Sequence, residues 1–194
     1  MKRSSLFIAA LMAACGGGGT SANYPGSADV TKAQADWCAA LAKVSGGGAK
    51  WEHMADCRAA KTTASAAYLN GVTKCFPARL EAAGEQAPDH SQVLIDCNDE
   101  IVVMLPADDV VGKEVIDARC ERMLRCEKVP VAECKAAVEK LESGQRAMFT
   151  VTYNAGALHD IAECLASASC SDDEEKARDA CYKPAAERLV WFPG

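Results

Sequence analysis

The sequence has few of the features by which enzymes and cofactor proteins are recognised. It contains three histidines, and aromatic residues make up 6% of its 194 residues. The spacings G-x-S-x-G, H-E-x-x-H and G-x-x-x-x-G-K-[ST] are absent, which removes the commonest signatures of nucleophilic, metal-dependent and phosphate-binding sites. We therefore predict a protein that is not an enzyme, with no catalytic residue, no metal ligand and no cofactor.

Each histidine has an ordinary explanation. His53 precedes Cys57 by four residues, a spacing that places two metal ligands on one helix face, but a disulfide at Cys57 would withdraw one of them. His90 is flanked by an aspartate and a serine, and adjacent residues do not form the relay of a nucleophilic triad. It is expected to begin the helix that follows Pro88. His159 lies among small residues and is expected on a solvated face.

No apolar run in the sequence is long enough to cross a bilayer as a permanent helix, which takes roughly 20 residues. The first run, from Leu6 to Leu11, follows Lys2 and Arg3 and precedes small residues and Cys15. A charged start, a short apolar run and small residues are typical of an export signal.

The four residues "MAAC" at 12–15 resemble the lipobox of bacterial lipoproteins, although Met12 stands where that family usually has leucine. The resemblance implies cleavage before Cys15, a diacylglyceryl thioether on its sulfur and an acyl group on its amine, a firm anchor. Gly16, rather than Asp, is the residue type that in similar lipoproteins permits transport to the outer membrane. The alternative is an ordinary secretory signal cut after Ala22, which would release the protein.

The chain divides into four segments on this interpretation. Residues 1–14 are a signal peptide, and 15–28 are the lipidated cysteine and a tether rich in glycine and serine. Two helical cysteine-rich repeats follow at 29–106 and 107–194. The formal net charge is −6, and losing Lys2 and Arg3 with the signal makes it −8. That acidity argues against nucleic acid and against electrostatic binding to anionic lipid.

Eleven cysteines are an odd number, but removing Cys15 from the count leaves ten. In an exported protein an even number of cysteines indicates disulfide bonds, and ten cysteines can form up to five of them. No two of them stand in a C-x-x-C arrangement, the usual signature of thioredoxin-like, zinc-ribbon and c-type haem sites.

The two halves look like diverged copies. "ADCRAA" at 55–60 matches "AECKAA" at 132–137, and "YLNGVTKC" at 68–75 shares Tyr-x-x-Gly before a cysteine with "YNAGALHDIAEC" at 153–164. The distance from glycine to cysteine differs by four residues, about one helical turn. On this alignment Cys126 and Cys170 have no counterpart in the first half, so we expect them to pair with each other.

The periodicity predicts an all-α fold of disulfide-stapled bundles, two copies of a four-helix unit. A stripe of apolar residues at three- and four-residue steps runs through 29–44, and a second helix is expected near Trp51. An apolar segment at 93–106 joins the halves and stops at Pro106. Helices are predicted at 112–126, 131–144, 154–167 and 172–188, the last beginning in the acidic cluster "DDEE" at 172–175.

An up-down bundle puts its first and third turns at the same end, which favours nested disulfides. We predict Cys120–Cys181, Cys126–Cys170 and Cys134–Cys164 in the second half. By analogy we predict Cys38–Cys97 and Cys57–Cys75 in the first half. Each disulfide is expected to add about 3–4 kcal/mol to the stability of an alanine-rich core.

The cysteine spacing over residues 117–188 resembles a pattern found in uncharacterised cysteine-rich lipoproteins of myxobacteria and related soil bacteria. The resemblance implies no activity. The prediction is therefore a lipid-anchored, non-enzymatic envelope protein, a binding or structural module, with the membrane and an envelope protein or polymer as its partners. The alternative is a cysteine-based function, metal binding or thiol–disulfide exchange, which requires free or labile thiols.

Overall fold

The computed structural model describes residues 28–84 and 89–193, and the fold over these residues is built from helices without a strand, as predicted. The predicted signal peptide, Cys15 and almost all of the predicted tether lie outside the described residues. The α-helices of the described part are α1 (Ala28–Val44), α2 (Met54–Ala59), α3 (Ala66–Ala83), α4 (His90–Met104), α5 (Lys113–Glu127), α6 (Val131–Glu139), α7 (Ser143–Thr150), α8 (Ala155–Ser167) and α9 (Glu174–Ala186). None of them is long and apolar enough to span a membrane.

The apolar stripe predicted for α1 is buried. Val30, Ala33, Trp37 and Leu41 are each at most 3% exposed, and Val44 packs at the edge of the same core. Their spacing puts them on one helical face, and burial of that face stabilises a helix whose other side is polar.

Side-chain caps set the start of several helices. Ser65 accepts a hydrogen bond from the backbone N–H of Tyr68 at the start of α3, and Asn154 accepts one from Ala157 at the start of α8. Asp173 of the acidic cluster caps α9 in the same way. Each cap satisfies a backbone donor that the first turn of a helix leaves free.

The prediction of one helix over 131–144 is wrong towards its C-terminal end. The helix α6 ends at Glu139, and a separate helix, α7, begins at Ser143. The break lets α7 pack against α4. At Gly144 an added Cβ would stand 3.0 Å from the Cα of Val103, so the glycine permits this close approach.

The two halves repeat one packing order. In the first half α1 packs most extensively on α3, while α2 packs on α1 and α4 on α3. In the second half α5 packs most extensively on α8, while α6 packs on α5 and α9 on α8. The additional helix α7 stands between α6 and α8 in the chain.

The helix caps correct the predicted alignment of the halves. Ser65 and Asn154 occupy the same position, and Cys75 and Cys164 each follow their cap by ten residues. Tyr68 lies inside α3 whereas Tyr153 precedes the cap of α8, so the Tyr-x-x-Gly match was wrong and no extra turn separates the copies.

All ten cysteines of the described residues are paired, but four of the five predicted pairings were wrong. The disulfides are Cys38–Cys57, Cys75–Cys97, Cys120–Cys134, Cys126–Cys170 and Cys164–Cys181. Cys126–Cys170 is confirmed. The predicted pairs Cys38–Cys97, Cys57–Cys75, Cys120–Cys181 and Cys134–Cys164 are replaced.

The packing order explains the difference. Nested pairing requires the second helix of each unit to face the third, and the first helix to face the fourth. Here the first and third helices form the centre of the unit, and the second and fourth pack on them from outside. Cys134 on α6 therefore meets Cys120 on α5, and Cys164 on α8 meets Cys181 on α9.

Each half has its own hydrophobic core, and backbone hydrogen bonds join the halves. The backbone N–H of Ser65 donates to the carbonyl of Thr152, and that of Asn154 donates to the carbonyl of Thr63. The buried Asn154 side chain also donates to the carbonyl of Thr62. These bonds place the starts of α3 and α8 side by side.

Candidate ligand-binding cleft

A cleft of about 620 Å³ opens on the second half between α5, α7 and α9. Cavities of this size are typical of sites for small molecules. Its walls combine aromatic, aliphatic and charged side chains. The lining residues are Arg119, Leu141, Gln145, Met148, Phe149, Tyr153, Arg178, Asp179, Tyr182, Lys183 and Ala186.

Three aromatic rings form one wall of the cleft. The ring centroid of Tyr182 on α9 lies 5.8 Å from that of Phe149 on α7, with the planes at 74°. It also lies 5.8 Å from that of Tyr153, which precedes α8. Such edge-on and tilted ring pairs stabilise a fold by more than the burial of their apolar surface alone. The wall is therefore held by contacts among three separate segments.

Arg119 is fixed beside this wall. Its Nε donates to Oε1 of Glu174 at 2.6 Å, and its side chain is 19% exposed. Its guanidinium carbon lies 5.4 Å from the ring centroid of Phe149, within the range of a cation–π interaction. The charge is thus paired with a carboxylate, and the guanidinium face is held against an aromatic ring.

The hydroxyl of Tyr182 is buried and has no hydrogen-bond partner in the described part of the chain. Burial raises the pKa of this phenol above its ordinary value, and burial also raises the pKa of Tyr153. Both phenols are therefore neutral at physiological pH. A buried hydroxyl without a partner costs free energy, so this group is the chemically unsatisfied point of the cleft.

The three histidines lie where no shared site forms. His53 precedes α2 and packs against the rings of Trp51 and Trp191 at 5.5 and 6.1 Å. His90 begins α4, as predicted, and its ring centroid lies 6.0 Å from that of Phe76, with the planes at 83°.

His159 is on the exposed side of α8, as predicted. Its Nδ1 lies 2.8 Å from Glu114, and its Nε2 lies 3.4 Å from Glu163. The hydrogen bond that the His159 ring donates to the Glu114 carboxylate raises the pKa of His159 above its ordinary value of 6.5.

Metal-ligating side chains do not gather in the described residues. Over 28–84 and 89–193, no group of three or more His, Cys, Asp or Glu side chains is arranged to hold a metal ion. Cys57, the second ligand considered beside His53, is bonded to Cys38.

No pattern in the sequence predicts the aromatic cleft. Phe149 and Tyr153 are four residues apart, but Tyr182 follows 29 residues later on another helix. No local pattern links these positions. Their approach depends on how α7, the segment before α8 and α9 meet in the tertiary structure.

Comparison with known proteins identifies no relative: no family model, no curated protein and no solved structure matches this chain.

Proposed function

We propose that this protein is a lipid-anchored, non-enzymatic protein of the cell envelope, more specifically of the outer membrane, which binds a small, flat aromatic ligand in the cleft between α5, α7 and α9. The anchor part of the proposal rests on the charged, apolar and small residues that precede Cys15, and on Gly16 after it. The binding part rests on the cleft.

The observation that carries the binding part is the Tyr182 hydroxyl. It lies buried in an aromatic wall beside about 620 Å³ of open space and has no partner among the described residues. A ring stacked against Phe149 and Tyr153 would bring a polar edge to this hydroxyl. The ligand would then supply the hydrogen bond that the protein leaves unmade.

Binding is favoured over the cysteine-based alternative by the state of the cysteines. Metal binding and thiol exchange depend on thiolates. All ten cysteines of the described residues are instead in disulfides. Six of the ten cysteine side chains are nearly or fully buried. Their role on this proposal is to link the helices that pack around the two cores.

Methyl NMR with indole as the probe tests the cleft. Met148 lines the cleft and is 51% exposed, so its ¹³C-labelled methyl group reports on a bound ring. Indole is expected to shift this signal saturably while those of Met104 and Met123 stay in place. No saturable shift at Met148, or equal shifts at all three, would overturn the proposal.

The substitution Tyr182→Phe tests the hydroxyl itself. It keeps the ring and removes the unpartnered group, and we expect indole affinity to fall about tenfold, or about 1.4 kcal/mol. Tyr68→Phe is the matched control, because Tyr68 is a buried tyrosine outside the cleft whose hydroxyl donates to Asn98. Unchanged affinity in Tyr182→Phe would overturn the binding part of the proposal, which the hydroxyl carries.

The anchor is tested separately by fractionation. The wild-type chain is expected in the outer membrane with a lipid-sized mass increment at Cys15, and Cys15→Ser is expected to lose both the increment and the membrane association. A soluble wild-type protein that begins after Ala22 would overturn the anchor and favour the secretory alternative, without bearing on the cleft.

A further inference from the structure

A second cavity lies in the first half, away from the aromatic cleft. It has a volume of about 530 Å³ and is formed by the first two turns of α1, the last turn of α2 and the segment that follows α2. Its walls are largely apolar, with contributions from Val30, Ala35 and Ala60. Arg58 and Lys61 stand at its border and are exposed.

Neither cation at this border is neutralised. No carboxylate of the described residues lies within ion-pair distance of Arg58 or Lys61, and the lining of the cavity contains no aspartate or glutamate. Elsewhere on α1 a lysine is paired, since Lys32 lies 2.5 Å from Asp36. In a chain with a net charge of −6, two unpaired cations beside one apolar cavity favour an anionic occupant.

A buried glutamine borders the same cavity. Gln34 lines it, although the residue as a whole is only 4% exposed. Its Nε2 donates to the backbone carbonyl of Cys57 at 2.7 Å, which fixes the orientation of the amide. Its Oε1 is buried and has no partner among the described residues. This oxygen requires a donor.

The apolar wall, the two unpaired cations and the unpartnered oxygen of Gln34 together indicate the chemistry of a ligand. We propose that this cavity binds a small organic anion that carries an apolar group and an N–H donor next to its carboxylate. The carboxylate pairs with Arg58 and Lys61, the N–H donates to Oε1 of Gln34, and the apolar group packs on Val30 and Ala60. The site is independent of the aromatic cleft and does not depend on a ligand bound there.

Three related probes separate the contributions. N-acetylphenylalanine has the carboxylate, the apolar group and the N–H, and ligand-observed NMR or calorimetry on the full-length, disulfide-bonded chain is expected to show saturable binding. N-acetylphenylalaninamide lacks the negative charge, and the N-methylated acid lacks the N–H. Each is expected to bind at least tenfold more weakly. Equal affinity for all three probes, or no binding of the acid, would overturn the proposal.

Variants of the protein test the same contacts. Arg58→Ala combined with Lys61→Ala is expected to weaken binding of the acid at least tenfold and to remove the preference for the acid over the amide. Lys43→Ala combined with Lys50→Ala is the matched control, since it removes two exposed lysines of the same half that do not line the cavity. An equal loss in both double variants would reduce the effect to net charge and overturn the site.

The last measurement distinguishes the two cavities. Saturating indole is expected to leave the affinity for N-acetylphenylalanine unchanged, and the Met148 methyl signal is expected to stay in place when the acid is added. Competition between the probes would place the acid in the aromatic cleft and overturn the second site. A failure of indole to bind would overturn the first cleft alone.

Discussion

The indole nitrogen of Trp37 donates a hydrogen bond to the backbone carbonyl of Trp191, 2.8 Å away and 154 residues further along the chain. Trp37 is fully buried in the core of the first half. The Trp191 ring lies edge-on to Trp51, and Phe192 lies edge-on to Phe76. The segment after α9 thus covers the core of the first half, although it follows directly from the second.

Removing this segment is expected to destabilise the whole fold. Deletion of residues 190–194 withdraws two half-buried rings and leaves the buried Trp37 N–H without its acceptor, and we expect a loss of about 3 kcal/mol in the free energy of unfolding. Trp191→Ala keeps the backbone acceptor and should cost less, about 2 kcal/mol. Urea unfolding with the disulfides intact measures both.

Met104→Ala serves as the control for that experiment, because Met104 is apolar but 67% exposed. Its unfolding midpoint should stay close to that of the wild type. If the deletion variant unfolded at the same urea concentration as this control, the segment would contribute nothing to the core.

The disulfide pairing can be checked by mass spectrometry of peptides from the unreduced chain. We expect Cys120 linked to Cys134 and Cys164 linked to Cys181, as the packing of neighbouring helices requires. A peptide joining Cys120 to Cys181 would restore the nested scheme and contradict the packing order of the second half.

The five disulfides should differ in their effect on stability. Cys126–Cys170 closes a separation of 44 residues and Cys120–Cys134 one of 14. The chain-entropy model gives about 4 and about 3 kcal/mol for loops of these lengths. Replacing each pair by serines should therefore lower the unfolding free energy more for the longer loop. The reverse order would show that lost packing at the buried Cys120 outweighs loop closure.

The sequence predicted those parts of the fold that depend on residues close together in the chain. The stripe through Trp37 and the acidic start of α9 are local signals, and the structure has both. Cys126–Cys170 was predicted because both residues flank turns and share no counterpart in the first half. The other pairings depend on which helices become neighbours, and periodicity does not encode this choice.

The candidate sites could not be predicted from the sequence either, because they also depend on which helices become neighbours. In the sequence Tyr182 is one residue of an amphipathic helix, and nothing nearby in the chain indicates its contact with Phe149. Gln34 is one polar residue within the buried stripe of α1. Each becomes notable because a polar atom is buried without a partner. That property belongs to the tertiary structure.

A buried arginine holds the turn between α8 and α9. Arg122 is fully buried, and its Nη2 donates to the backbone carbonyls of Ser169 and Asp172 at 3.0 and 2.7 Å. Its Nη1 lies 3.6 Å from Oε2 of Glu174. Arg122→Met would leave the two carbonyls without their side-chain donor and would remove a buried cation beside the Glu174 carboxylate, and we expect a loss of about 3–5 kcal/mol in the free energy of unfolding.

The neighbouring Arg125 provides the comparison for this variant. It donates to the carbonyl of Ala168 in the same turn but is exposed, so water replaces the lost donor in Arg125→Met. Chemical denaturation of both variants should separate them clearly. Coincident unfolding curves would mean that the Arg122 contacts do not stabilise the turn.

His159 should make stability depend on pH through its contact with Glu114. The hydrogen bond raises the pKa of the folded imidazole above 6.5, its ordinary value. A group with a raised folded pKa stabilises the protein fully below its unfolded pKa, and that contribution disappears as pH rises through the folded pKa. The charged His159–Glu114 pair therefore stabilises the fold under mildly acidic conditions and not under alkaline ones.

NMR titration of the His159 ring should show Glu114→Gln lowering its pKa more than Glu163→Gln, because Glu114 supplies the hydrogen bond as well as a charge. An equal effect of the two substitutions would contradict the contact.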